Sequence, residues 1–195
     1  MFEQLSIEKY NEILASKAPT PGGGSALAMV GTVACSLVEM AINVTVAKLD
    51  KNGETYQYLQ SELKAVERAK PTLYRLANDD AKAFEQIMTA LKLPKSTEDE
   101  VKRRKMALQK AYHTSALVPL DVMRVCGDML ARSELRIMPH LSKYVSSDCV
   151  IAIDLYKAII RNSRVNVHAN TCFITSPELK ALLEKQCEEI MQQIK

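Results

Sequence analysis

The chain has 195 residues, of which 47% are apolar and 25% charged, with a formal net charge of +3. That length suits a single domain over residues 1–195 with a substantial core, and so small a charge gives no footing for nucleic-acid binding. Five scattered cysteines with no C-x-x-C, and three dispersed histidines, argue against a disulfide framework or a metal site.

Met1 to Leu5 has neither the basic start nor the apolar run of a signal peptide, so a cytoplasmic protein with reduced thiols is expected. Ser6 is placed to cap a first helix reaching about Lys17, with Ile7, Tyr10, Ile13 and Leu14 on one face. The stretch Pro19-Thr20-Pro21-Gly22-Gly23-Gly24-Ser25 follows. Its prolines stiffen the approach, its glycines permit backbone geometry that other residues avoid, and Ser25 is a favoured N-cap. The helix after it, predicted from about Ala26 to Leu49, would present unpaired N–H groups to a carboxylate or phosphate. The same spacing also fits a plain turn before a buried helix.

Ala26–Ala47 is nearly long enough to cross a bilayer. Thr32, Ser36, Glu39 and Asn43 nevertheless share one helical stripe, and a charge at Glu39 is costly in lipid. The segment therefore reads as the long buried central helix of a bundle, with no membrane partner.

Asp50-Lys51-Asn52-Gly53 signals a turn, and helical periodicity then runs from about Thr55 to Lys92, with Pro71 expected to kink or divide it. After Leu93-Pro94-Lys95, Ser96 or Thr97 starts another helix with Glu98, Asp99 and Glu100 in its first turn. The basic run Lys102–Lys105 on that helix is a solvated face or a weak attractor for anions. Further helices are expected near Ala107–Ser115, Leu120–Arg132, Ser147–Asn162 and Pro177–Ile194, with breaks at Pro119 and Pro139 and a cap at Ser176. No stretch alternates with period two, so the fold class is all-α.

Three groups of residues can carry chemistry. Asp80 lies within an apolar stripe of Leu73, Leu76, Ala77, Phe84, Ile87 and Leu91, whereas Asp79 falls with Lys82 and Gln86 on the polar side. Burial disfavours a carboxylate's charged form and raises its pKa, the tuning a proton donor needs near neutrality; a buried Asp satisfied by a cap or an Arg is the plainer reading. Asn162, Asn166 and Asn170, with His168 close by, form a polar stripe if the helix continues through them, or serve turns if it does not. Ser146-Ser147-Asp148 reads first as a helix start capped by Ser147 or Asp148.

Taken in order, several of these stretches resemble the cyclodeaminase/cyclohydrolase family of folate one-carbon enzymes. That family includes the C-terminal domain of formiminotransferase-cyclodeaminase and free-standing methenyltetrahydrofolate cyclohydrolases. The matching pieces are Ala18–Ser25, Asp79–Phe84, Leu93-Pro94-Lys95, Ala116–Leu120, Ser147-Asp148 and Asn166-Val167-His168-Ala169-Asn170. The resemblance implies an all-helical homodimer with a folate site associated with the dimer. It assigns the proton donor to Asp80 and substrate contacts to Gly22, Gly23, Gly24, Ser25, Asp148, Asn166 and Asn170. Two departures bear on the site: Leu141-Ser142 stands where relatives often carry Gly-Asn, and Thr171 where Leu is usual.

The leading expectation is a formiminotetrahydrofolate cyclodeaminase. N10 attacks the formimino carbon, Asp80 protonates the departing nitrogen, and ammonia leaves behind 5,10-methenyltetrahydrofolate. Asn166, Asn170 and Asp148 would bind the pterin or bridge region, and Gly22–Ser25 a carboxylate of the glutamyl tail. The alternative is a methenyltetrahydrofolate cyclohydrolase, in which water adds to the same carbon and the product is 10-formyltetrahydrofolate. A third reading is a non-catalytic folate-binding homologue. No bound cofactor is expected, the tetrahydrofolate derivative being the substrate.

Overall fold

The computed structural model describes residues 1–194. Six α-helices dominate it: α1 (Ile7–Leu14), α2 (Gly23–Val46), α3 (Glu54–Leu91), α4 (Glu98–Arg132), α5 (Ser146–Thr171) and α6 (Pro177–Met191). Three starts use the caps expected of them. Ser6 Oγ accepts from Lys9 N–H and Ser176 Oγ from Leu179 N–H. Thr97 and Glu100 form a reciprocal capping box.

Helices α2 to α5 form a ring in which each packs against its two neighbours, α2 on α3 and α5, and α4 on α3 and α5. The core fills the middle of the ring with Leu73, Leu76, Leu120, Met123, Tyr156 and Ile160. Gly31 lets α2 approach closely there, since a Cβ would stand 3.1 Å from Leu73 Cδ1 and 3.6 Å from Cys126 Sγ. Helix α6 lies outside the ring against α4 and α5.

This arrangement changes the reading of α2 as a buried central helix. A ring of four has its core at its centre, so each wall helix keeps an outward face. On α2 that face is apolar, with Val30, Val33 and Met40 exposed by 38%, 55% and 37%. Glu39, the residue that argued against lipid, pairs with Lys70 of α3 at 2.6 Å.

Neither internal proline ends its helix. Pro71 lies within the 38-residue α3 and Pro119 within the 35-residue α4, which unites the separate stretches expected on either side. The lost hydrogen bond costs about 3 kcal/mol. Buried residues on both sides of each proline outweigh it: Val66 and Leu73 in α3, Ala116 and Met123 in α4. The break near Pro139 is real, with a π-helical turn at Ser133–Ile137 and a 3-10 turn at Met138–His140 separating α4 from α5. Helix α5 then runs past Asn162 to Thr171, so the Asn stripe is helical.

Because successive ring helices are antiparallel, the two ends of α2 meet opposite ends of α5. Ser142 N–H donates to Thr45 Oγ1 at 3.0 Å near the start of α5, whereas Gly22–Gly24 share a cavity with Asn166 and Asn170 near its finish.

Candidate active site

The glycine run does not act through unusual dihedrals. No glycine among the described residues has positive φ, and Gly22 is extended at φ −123°. The helix begins at Gly23 with Gly22 as its N-cap, three residues ahead of the expected Ser25 cap, so Ser25 lies in the first turn with its N–H still without an intrahelical acceptor. That N–H donates to Asp80 Oδ2 at 2.9 Å. The anion expected at this helix start is thus the chain's own carboxylate.

The reason for glycine is contact. A Cβ on Gly24 would stand 2.6 Å from Asp80 Cγ and 2.9 Å from Oδ2, closer than real Cβ contacts come, whereas Gly22 and Gly23 face open space. Ser25 Oγ lies 3.1 Å from Asp80 Oδ2 and 2.8 Å from Ala77 O. Its single proton can go to either acceptor. Ionised, Asp80 accepts from both Ser25 groups; protonated, it can donate to Ser25 Oγ while the hydroxyl donates to Ala77 O. One pair of contacts therefore serves both states of the carboxyl.

Burial pushes the Asp80 carboxyl above the ordinary aspartate range, and the two Ser25 hydrogen bonds offset only part of that rise. Oδ1 makes no hydrogen bond among the described residues and is the oxygen available to a ligand. Nearby, Tyr10 of α1 carries a buried hydroxyl without a partner, and burial together with the Asp80 charge pushes it up to about 12.

Asp80 opens onto a cavity of about 450 Å³ lined by Gly22–Gly24, Phe84, Ile87, Met88, Leu91, Tyr112, Ser115, Asn166, Asn170 and Phe173 among others. Asn170 Nδ2 is committed to Ser115 O at 3.2 Å and Asn166 O at 2.9 Å, which fixes the amide and leaves Oδ1 as an acceptor. No hydrogen bond engages the Asn166 side chain among the described residues, so its amide can both donate and accept. The apolar stripe of α3 divides at Asp80: Leu73, Leu76 and Ala77 enter the core, while Phe84 and Leu91 wall the cavity. Asp79 is held on the outer side by Arg75 at 3.0 Å and Lys82 at 3.1 Å.

The structure thus gathers Asp80, Gly22, Gly23, Gly24, Asn166 and Asn170 around one cavity and puts Ser25 directly behind Asp80. Asp148 does not join them within one chain. It lies in the first turn of α5, where no side chain caps the helix, eighteen residues before Asn166 and so about 27 Å away along the axis. His168 also turns away, accepting from Arg164 Nε at 3.4 Å on the α6 side. Both departures from the family pattern avoid the cavity. Thr171 is buried with Oγ1 3.3 Å from His168 O and Glu184 Oε1, and Ser142 bonds Thr45 at the far end of the ring.

Among the cavity residues that escaped the sequence reading are Tyr112 and Phe173, whose rings stack with centroids 4.8 Å apart and planes 17° apart. Gln109 locks this pair, Nε2 donating to Phe173 O at 2.9 Å while Oε1 accepts from Thr175 N–H at 2.8 Å. The pair joins α4 to the α5–α6 connection, and no local pattern signals such a contact.

Known proteins resemble this chain over most of its length. Residues 6–189 match the family described as Formiminotransferase-cyclodeaminase. The chain is 36% identical over 165 residues to the methenyltetrahydrofolate cyclohydrolase of Methylorubrum extorquens, covering 85% of this chain and 78% of that protein. It is 25% identical to the formimidoyltransferase-cyclodeaminase of Sus scrofa over 93% of its own length but spans only 33% of that longer protein. Among solved structures, the formiminotetrahydrofolate cyclodeaminase of Thermotoga maritima superposes with a TM-score of 0.86 at 33% identity, over 100% of this chain and 92% of that one.

Proposed function

The chain belongs to the formiminotransferase-cyclodeaminase family, and from that premise we propose that it is a methenyltetrahydrofolate cyclohydrolase. The observation carrying this reading is the 36% identity, over 85% of the chain, to a protein named for that activity, together with an intact Asp80–Ser25–Gly24 arrangement. The expectation that put the cyclodeaminase first therefore gives way to its alternative. The cyclodeaminase stays as the second reading, favoured by the Thermotoga maritima structure, 92% of whose chain this one covers.

In the proposed reaction the cavity holds the methenyl bridge against Asp80. Water adds to the bridging carbon, forming the C–O bond, and its proton passes to the Asp80 carboxylate. The bond from that carbon to N5 then breaks, its electron pair stays on N5, and N5 takes the proton back from Asp80. The remaining hydroxyl proton leaves to solvent as the carbonyl forms, so a formyl group is left on N10. A base of raised pKa suits the first transfer and its conjugate acid the second. Asn166 and Asn170 Oδ1 supply the acceptors and donors for the heterocycle, and Phe84, Ile87 and Met88 shield the bridge from bulk water.

For assembly, the open apolar face of α2 is the proposed homodimer contact. Antiparallel pairing about Val33 would bring the C-terminal end of the other α2, and with it the partner subunit's Asp148, towards Gly22–Gly24. The two activities separate in one assay. Methenyl absorbance disappears with formation of 10-formyltetrahydrofolate in the first reading, and appears with ammonia release from 5-formiminotetrahydrofolate in the second. Acceleration of neither, with both folates bound, would support the non-catalytic reading instead.

A further inference from the structure

Tyr10 of α1 is only 7% exposed, and its hydroxyl is buried with no hydrogen-bond partner among the described residues. Packing accounts for the ring, which Phe2 meets edge to face with centroids 5.6 Å apart and planes at 79°. Packing does not account for the oxygen. A phenylalanine would make the same ring contact without burying an unpaired hydroxyl, which is unfavourable. The ring is also held in place from the N-terminal side. Phe2 N–H donates to Asn78 Oδ1 at 3.1 Å, while Asn78 Nδ2 donates to Glu3 Oε2 at 2.8 Å and to Tyr74 O at 2.9 Å. Phe2 is thereby pinned to α3 two residues before Asp80, and its ring fixes the tilt of Tyr10.

The Tyr10 hydroxyl and Asp80 share one surrounding. Among the described residues Asp80 is the one charged group that acts on this hydroxyl, adding to the effect of burial. Asp80 Oδ1 is likewise without a hydrogen bond, because Ser25 N–H and Oγ both meet Oδ2. A free donor and a free acceptor thus lie near each other but beyond direct hydrogen-bond distance, the relation that one ordered water ordinarily bridges. Oδ1 has two lone pairs, so it can accept from that water and still meet a ligand. Other ionisable groups nearby are engaged elsewhere. On α1 Lys9 pairs with Glu12, on α3 Asp79 pairs with Arg75 and Lys82, and on α5 His168 accepts from Arg164. Glu3 is held by Asn78 and the Met1 amino group, and α4 brings only Tyr112, across the cavity.

We propose that Tyr10 is a positioning residue for Asp80, its hydroxyl donating through one bridging water to Oδ1 and steadying the ionised carboxyl that Ser25 holds at Oδ2. Tyr10 acts through Asp80 and touches no reacting atom. Its catalytic consequence rests on the cyclohydrolase reading above, whereas the hydrogen bond itself does not. A donor to the anion favours the charged form, so removing the hydroxyl makes Asp80 release its proton at higher pH.

The test compares the wild type, Tyr10→Phe and Tyr58→Phe, the last removing a hydroxyl from a ring that packs on His140 outside the cavity. Asp80 is titrated in the ligand-free protein by carbon NMR of labelled aspartate carboxyls, with Asp80→Asn assigning its signal. The pH profile of kcat/KM for methenyl loss is recorded alongside. Tyr10→Phe is expected to titrate Asp80 at higher pH, to move the acid limb of kcat/KM the same way, and to regain the wild-type plateau above that limb. Tyr58→Phe is expected to match the wild type in both measurements. An unmoved or acid-shifted Asp80 titration in Tyr10→Phe, or an equal shift in both variants, would overturn the assignment. Should Tyr10→Phe fail to fold, fluorotyrosine in place of Tyr10 supplies a stronger donor and is expected to shift the titration to lower pH; no shift there overturns the assignment too. If Tyr10→Phe raises the Asp80 titration while the wild type turns over no methenyl folate, the tyrosine assignment stands and the cyclohydrolase reading falls. Wild-type turnover with an unmoved titration in Tyr10→Phe has the opposite meaning.

Discussion

Replacing Gly24 by Ala tests the geometry of the site with a single methyl group. The new Cβ would lie 2.6 Å from Asp80 Cγ, whereas ordinary contact begins near 3.4 Å. The carboxyl must therefore retreat by close to 1 Å. It is a short side chain tied by Ser25 N–H at 2.9 Å and Oγ at 3.1 Å, so the retreat breaks those bonds instead of bending a flexible tip. Losing them costs about 1–3 kcal/mol, and the better helix propensity of Ala returns up to about 1 kcal/mol, so the fold survives. Activity does not, because a misplacement of about 1 Å is worth on the order of a hundredfold in rate. The assay is kcat for loss of the methenyl absorbance, alongside a thermal melt. A Gly24→Ala enzyme with wild-type kcat would refute the claim that Asp80 must sit against the start of α2.

Three further outcomes follow from the same groups. Ser25→Ala removes a hydroxyl that favours the Asp80 anion, so the raised pKa rises further. In the cyclohydrolase reading the base form is needed, so kcat/KM falls as pH drops through that pKa and the variant's limb moves to higher pH; an unmoved or acid-shifted limb contradicts this. Asp80→Asn should stabilise the protein at neutral pH. The folded state holds the Asp80 proton more tightly than the unfolded chain, so wild-type stability is lost as pH rises through the raised folded pKa, and the neutral amide escapes that loss. Melting curves across pH should show the variant's advantage above that pKa and not below the unfolded value. Val33→Glu puts a charge on the open face of α2, the proposed dimer contact, and should sediment as a smaller species than the wild type at the same concentration; equal masses for the two proteins would remove α2 from the interface.

What the sequence revealed of this molecule depended on range. Asp80 could be found because helical spacing alone places it within an apolar stripe, and the structure keeps it on that face beside the cavity. Ser6, Thr97 and Ser176 could be found because a cap is decided within three residues. Ser25 misled for the same reason: a serine after glycines fits an N-cap as well as a first-turn position, and only Asp80, from another helix, shows which it is. Pro71 and Pro119 were read by a local rule that tertiary packing overrode. The Tyr112–Phe173 stack and the Arg104–Leu91 contact bring distant segments together and leave no trace in any window. Asp148 read first as part of a helix start and gained its substrate contact from the family resemblance, and the single chain holds it at the opposite end of α5 from the cavity.

The most direct measurement is the turnover of 5,10-methenyltetrahydrofolate by the wild type and Asp80→Asn under identical conditions, with binding of the folate measured in parallel. The account predicts that the variant binds the ligand but loses about a hundredfold to ten-thousandfold in kcat, the range for a positioned acid–base group. An Asp80→Asn enzyme that binds the folate and turns it over close to the wild-type rate would contradict the central role given to that carboxyl.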